Sequence, residues 1–212
     1  MAIAEFPPID SADEHGLLAL GGDLEIDSLL LAYTQGIFPW PISEEYPLAW
    51  FSPDPRGILA FLNLHMSKSL KKFLKKNPYE VRFNANFEAV IMNCAKVKRN
   101  DQATTWITQD IIDAYINLHR EGYAYSVETY LEDKLVGGVY GVCINHYYSG
   151  ESMFHLEENA SKVALVSLMY MLKQRDILWL DTQMVTPVVE SLGGQEIPRD
   201  TFLEMLDISL SQ

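Results

Sequence analysis

Asp181 and Gln183 are alternate residues in Leu180-Asp181-Thr182-Gln183, so on an extended strand their side chains share a face. An aspartate hydrogen-bonded to a neighbouring glutamine would select which end of the amide is presented, leaving its oxygen to accept from an incoming donor. Glu151, in Gly150-Glu151-Ser152-Met153-Phe154, adds a carboxylate at the end of another extended run. By residue type alone, a solvated strand-end Glu151 and a turn-capping Asp181 are the simpler readings, because short motifs of this kind are weak without context.

Charge patterning is more telling. Lys68, Lys71, Lys72, Lys75 and Lys76 are spaced i, i+3, i+4, i+7 and i+8. On a helix they fall on one face, with Leu70, Phe73 and Leu74 opposite. The chain holds 16 Lys and Arg against 29 Asp and Glu, a net charge of −13. A molecule of that sign repels polyanions as a whole. Five of its bases within nine positions, with no acid between them, favour a local phosphate-binding surface over a solvated ridge. Trp40, Trp50, Phe51 and Trp106 stand near proline-rich or turn sequence; such rings serve either as stacking platforms for unpaired bases or as core filling.

The elements that must position these groups follow from periodicity and punctuation. A helix is expected from Leu24 through Tyr33, capped by Asp23 or Asp27 and stopped at Gly36. The Pro- and Trp-rich run from Phe38 to Arg56 then predicts a rigid folded-back loop. Beyond it, helices are expected over Ser67–Lys76, Phe87–Val97, Thr108–Arg120, Asn159–Lys173 (with Asn159 as cap) and Arg199–Leu206. Strands are expected over Tyr79–Phe83, Ala124–Glu132, Leu135–Ile144, Tyr147–Phe154 and Ile177–Asp181, with tight turns at Asp133-Lys134 and Asn145-His146. Helices on either side of a mainly antiparallel sheet define an α+β fold. A boundary near Gly57 divides a small N-terminal domain, 1–57, from a main domain, 58–212.

Several classes drop out. With 212 residues, 48% hydrophobic, the chain holds enough apolar material for a packed core. It shows no secretory leader and no run of about 18 apolar residues, so a cytoplasmic protein off the membrane is expected. Two cysteines, Cys94 and Cys143, and five scattered histidines offer no metal-ligand spacing. The glycine two residues beyond Ser152 that a nucleophile elbow requires is missing. Gly137, Gly138 and Gly141 lie within a strand rather than between strand and helix, so no dinucleotide fingerprint is present.

Taken in order, these pieces resemble the leucyl/phenylalanyl-tRNA–protein transferase family. The matching segments are Gly16-Leu17-Leu18-Ala19-Leu20-Gly21-Gly22-Asp23-Leu24, Ala32-Tyr33, Gly36-Ile37-Phe38-Pro39-Trp40 and Phe51-Ser52-Pro53-Asp54-Pro55-Arg56. They continue with Trp106-Ile107-Thr108, Gly150 to Phe154, Ala160-Ser161-Lys162, Asp181-Thr182-Gln183 and Ser191-Leu192-Gly193. The resemblance implies a GCN5-acetyltransferase-like main domain without acetyl-CoA. It implies an enzyme that moves Leu or Phe, and Met less readily, from its tRNA to the α-amine of proteins beginning with Arg or Lys, generating an N-degron.

By the same resemblance Glu151, Asp181 and Gln183 are catalytic, Asp181 orienting Gln183. Trp40 and Trp106 line the site for the 3′ adenosine and aminoacyl group. Val139, Tyr148, Leu168 and Leu180 form the apolar side-chain pocket, and the five lysines hold the tRNA body. No cofactor and no metal are implied, since an aminoacyl ester is already activated; a monomer is expected. The family usually has His at the positions of Val188 and Tyr125 and Trp at that of Tyr130, departures that bear on acceptor recognition. The rival readings are an acyltransferase using another activated donor and a non-catalytic tRNA-binding module. The first needs a glycine-rich loop opening a helix, and Asn159-Ala160-Ser161-Lys162 lacks the glycines.

Overall fold

The computed structural model describes residues 2–43, 46–97 and 105–212. In chain order its elements are β1 (Leu17–Leu20), α1 (Ile26–Thr34), β2 (Phe38–Pro39), β3 (Ala49–Phe51), β4 (Arg56–Ala60), α2 (Lys68–Lys76), β5 (Glu80–Phe83) and α3 (Phe87–Lys96). They continue with α4 (Gln109–Arg120), β6 (Ala124–Leu131), β7 (Lys134–Ile144), β8 (Tyr147–His155), α5 (Ala160–Lys173), β9 (Trp179–Gln183), α6 (Pro187–Ser191), β10 (Gln195–Ile197) and α7 (Arg199–Leu210).

A small antiparallel sheet, β1-β3-β2, precedes a seven-stranded sheet ordered β10-β4-β9-β8-β7-β6-β5. Every pairing in the large sheet is antiparallel except β8 with β9, which run parallel and meet only at Ser149 and Asp181. That brief contact leaves an open seam in the middle of the sheet. A helix-flanked, mainly antiparallel sheet with one parallel step is an α+β architecture, as the sequence led us to expect. No helix among the described residues is long and apolar enough to cross a membrane.

Strand alternation sorts the two cores. Tyr140, Tyr147 and Phe154 point to the layer formed by α3 and α4 with α1, packing with Phe87, Ile91, Ile111 and Leu118. Val139, Tyr148 and Leu180 point the other way, onto Leu165, Leu168 and Met169 of α5. In β8 the ladder slips: Tyr140 pairs with Ser152 but Gly141 pairs with Gly150, so Glu151 is an extra residue without a partner. Such a bulge bends the strand and re-aims a side chain.

Most expected elements lie within a few residues of their places, with four corrections. The run after Gly36 is not purely loop, since β2 and β3 lie within it and Trp50 sits on β3 with 1% of its surface exposed. Its indole donates to the Gly21 carbonyl at 2.8 Å, so Trp50 is core rather than platform. The helix α1 takes no capping bond from Asp27; Asp23, two residues before the Glu25 N-cap, accepts from the Glu25 amide at 3.1 Å and the Ser28 hydroxyl at 2.6 Å. Asn159 does hold the N-cap position just before α5, but in a left-handed conformation and with no capping bond from its side chain. The hairpin turns at Glu132-Asp133, both with positive φ, so Lys134 belongs to β7.

Candidate active site at the open seam of the sheet

The seam opens into a cavity of about 420 Å³ lined by Trp40, Val139, Gly150, Glu151, Ser152, Met153, Leu165, Leu180, Thr182, Gln183, Met184, Thr186 and Val189. One wall is apolar, from β7, α5 and β9. The polar end is where β8 and β9 meet, and there Glu151 and Gln183 converge across 32 positions of sequence. The Gln183 amide donates to the Ser149 hydroxyl at 2.8 Å and to Glu151 Oε1 at 3.3 Å, and the Ser149 hydroxyl donates to the same Oε1 at 3.0 Å. No described residue donates to the Gln183 carbonyl oxygen, which is the end of the amide left for an incoming group.

Gln183 itself is 6% exposed and held in a left-handed conformation (φ 56°) at the end of β9. Asp181 orients it through the backbone, accepting from the Gln183 amide N–H at 2.9 Å rather than from its side chain. Alternation gets the shared side right, but the side-chain contact it suggested is made by Ser149 and Glu151 instead. Asp181 is fully buried and gripped by Arg56, whose Nε and Nη2 reach its two oxygens at 2.9 and 2.7 Å. The Tyr147 hydroxyl adds a bond of 2.6 Å to Oδ2. Arg56 in turn donates to the Gly36 carbonyl at 2.8 Å, with its guanidinium over the rings of Phe38 and Phe202 at 5.0 and 4.3 Å. Gly36 closes α1 with φ 74°, and a Cβ there would meet the Phe202 ring at 2.8 Å, so the turn that delivers this carbonyl requires glycine.

Glu151 has no such cation. Burial pushes its carboxyl up to about 7, against the pull of hydrogen bonds from Tyr33, Ser149 and Tyr115. The Tyr115 hydroxyl donates to Oε2 at 3.3 Å and is itself hydrogen-bonded to the Tyr33 hydroxyl. Arg56, Tyr33, Tyr115, Tyr147 and Ser149 all escaped the residue-by-residue reading. Each looks like core or turn locally, and the family match touched only two of them, Tyr33 in Ala32-Tyr33 and Arg56 in Phe51–Arg56, without assigning either a role.

Of the expected pocket residues, Trp40, Val139 and Leu180 reach the cavity wall. Trp106 stands behind Trp40, stacked on it at 4.8 Å between ring centroids and 17° between planes. Leu168 and Tyr148 are not brought to the wall. Both are buried beneath it in the apolar cluster that contains Val139, Leu165 and Leu180, and Tyr148 faces a separate cavity beside Tyr125 and Cys143. Leu165, Met153 and Val189 line the wall instead; Val188 sits one position off it. The five lysines form one exposed face of α2, capped by Ser67, with Leu70 buried opposite. None of them forms an ion pair with a described residue.

The sheet thus opens at its one parallel step onto an apolar cavity with a carboxylate and an oriented amide at its polar end, and comparison with known proteins makes the chain a transferase. The sequence pattern of the family described as leucyl/phenylalanyl-tRNA protein transferase matches residues 58–207, and that of its N-terminal domain matches 22–54. A leucyl/phenylalanyl-tRNA–protein transferase of Flavobacterium johnsoniae is 47% identical over 201 residues, covering 95% of this chain and 94% of that protein. One of Pseudoalteromonas atlantica is 50% identical over 203 residues, covering 95% and 86%. Among solved structures, a ribosomal-protein-alanine N-acetyltransferase from Brucella melitensis biovar Abortus is 12% identical, covers 52% of this chain and 81% of its own, and has a TM-score of 0.36. The chain belongs to the leucyl/phenylalanyl-tRNA–protein transferase family, and is an aminoacyltransferase.

Proposed function

We propose that this enzyme takes Leu or Phe, and Met less readily, from its tRNA and joins it to the α-amine of proteins beginning with Arg or Lys, marking them for degradation. The observation that carries the reading is the convergence of Glu151 and Gln183 at the polar end of a cavity whose other wall is Val139, Leu165 and Leu180. That wall suits an unbranched-at-Cβ apolar side chain, and the polar end suits the reacting amine and ester. The stacked Trp40 and Trp106 supply a platform for the terminal adenosine. Residues 1–57 act as a small N-terminal domain and 58–212 as the catalytic one.

An N-terminal amine is largely an ammonium at neutral pH and must lose a proton before it attacks. Glu151, with a carboxyl that titrates near neutrality, takes it. The nitrogen then attacks the ester carbonyl carbon: a C–N bond forms, and the C–O bond to the terminal ribose breaks. The second proton leaves the nitrogen past the Gln183 carbonyl oxygen and ends on the departing ribose oxygen. Gln183 is not itself a base; it aligns the amine and accepts its hydrogen bond. Because the ester is already activated, the reaction runs downhill without a further energy source. The lysine face of α2 holds the tRNA body by phosphate contact, and the net charge of −13 suits an acceptor with a cationic first residue.

The test presents purified protein with Leu-tRNA, Phe-tRNA or acetyl-CoA, and with peptides beginning in Arg, Lys, Asp or Ala. Transfer of Leu and Phe to the Arg and Lys peptides is expected. Acyl transfer from acetyl-CoA alone would overturn the reading.

A further inference from the structure

The Tyr33 and Tyr115 hydroxyls are fully buried, and among the described residues their only hydrogen-bond partners are each other and Glu151. The two side chains come from α1 and α4, elements with no other link to the carboxylate. A phenolic hydroxyl carries one proton. Tyr115 donates to Glu151 Oε2, and Tyr33, bonded to Tyr115, also bears on the same carboxylate, so both hydroxyls act on Glu151. Two phenylalanines would fill the same space without burying two hydroxyls, a change close to neutral for folding when both partners are removed together. Packing therefore gives no reason for the oxygens; Glu151 does.

We propose that Tyr115 and Tyr33 are positioning residues of the transfer reaction: from behind the cavity they fix the Glu151 carboxylate and set how readily it accepts the substrate's proton. The inference rests on Glu151 being the proton acceptor of the proposed reaction. The opposite oxygen of Glu151 is held by Ser149 and Gln183, so the tyrosines close a cage of neutral donors. The ionisable groups around it are Tyr33 from α1, Tyr115 from α4, Asp181 from β9 with its Arg56 counter-ion from β4, and Tyr147 and Tyr148 from β8 itself. At the cavity α5 presents Leu165 and α6 presents Val189, neither ionisable. Burial raises both tyrosines well above 10, so they stay protonated as donors. Each donated bond favours the charged carboxylate, and losing one raises the pH at which it ionises.

The test titrates the Glu151 carboxyl by ¹³C NMR in the full-length protein, assigned with Glu151→Gln, in wild type, Tyr33→Phe, Tyr115→Phe and the double variant. The pH profile of kcat/KM with Leu-tRNA is recorded alongside. Tyr79→Phe serves as control, since this tyrosine is also buried but bonds the Glu158 carbonyl. We expect the carboxyl midpoint to rise by about half to one pH unit for each single variant, with the acidic limb of the rate profile moving by the same amount and Tyr79→Phe moving neither. A midpoint that stays put in folded variants would overturn the role of the tyrosines and leave Glu151 as proposed. A midpoint that moves while the acidic limb does not would instead remove Glu151 from the reaction, and the inference with it.

Discussion

Two acids sit on neighbouring strands at the same seam, and the protein treats them in opposite ways. Asp181 is enclosed on every side: a bidentate guanidinium, a tyrosine hydroxyl and a backbone amide occupy its oxygens, and none of its surface is exposed. Glu151, reached among the described residues only by neutral hydroxyl and amide groups, lines the cavity and titrates near 7. The first is a fixed strut that aims the backbone under Gln183. The second keeps a proton affinity close to that of an α-amine. Both are buried, but only Asp181 has a cation against it.

Removing the strut should have the largest effect. Arg56→Met leaves Asp181 buried without its cation and the Gly36 carbonyl without a donor, so unfolding in urea is expected at about 3–5 kcal/mol less stability. A loss below 1 kcal/mol would show that Asp181 gains other partners, and would undo the contrast.

The poised carboxylate should respond with the opposite sign. Glu151→Gln should lower kcat/KM by about 100-fold, close to 3 kcal/mol of transition-state stabilisation, while making the fold more stable. A carboxyl that ionises near pH 7 in the folded chain and near 4.5 unfolded contributes fully below the lower value and loses that contribution as pH rises through the upper one. The neutral amide escapes this loss, so urea unfolding should show the variant about 1–3 kcal/mol more stable at pH 8, with the gain vanishing at pH 4. Equal stability at both pH values would place Glu151 with Asp181 after all.

Gln183→Leu keeps the volume but removes the accepting oxygen, and should lower kcat about tenfold in single-turnover assays; an unchanged rate would reject its part in aligning the amine. The smallest effect per residue belongs to α2, where charges stand in solvent. Changing all five lysines to Gln should weaken binding of charged tRNA and flatten the dependence of log affinity on log salt by up to about 4.

How far this was legible differs between the two regions. Lysines at helical spacing and three strands joined by short turns are local patterns, and the structure keeps them nearly in place. Strand β9 is displaced by two residues, to Trp179–Gln183, because Ile177 is apolar and buried without being on a strand. The strut and the cage are long-range: Arg56 meets Asp181 across 125 positions and Tyr115 meets Glu151 across 36. A single sequence carries no sign of such meetings, and a tyrosine on the buried face of a helix reads as core whether or not its hydroxyl has work. Only the family resemblance joined Glu151 and Gln183 in one site, and beyond Asp181 orienting Gln183 it named nothing that holds them.

The bulge in β8 has a consequence for how such a site can arise. Glu151 belongs to no rung of the ladder, since Gly150 and Ser152 already oppose consecutive residues of β7. Deleting that one position would let the two strands zip without interruption, and the result would be a better-knit scaffold with no carboxylate in its cavity. The acid is thus surplus to the architecture, inserted at the cost of a single mismatched step.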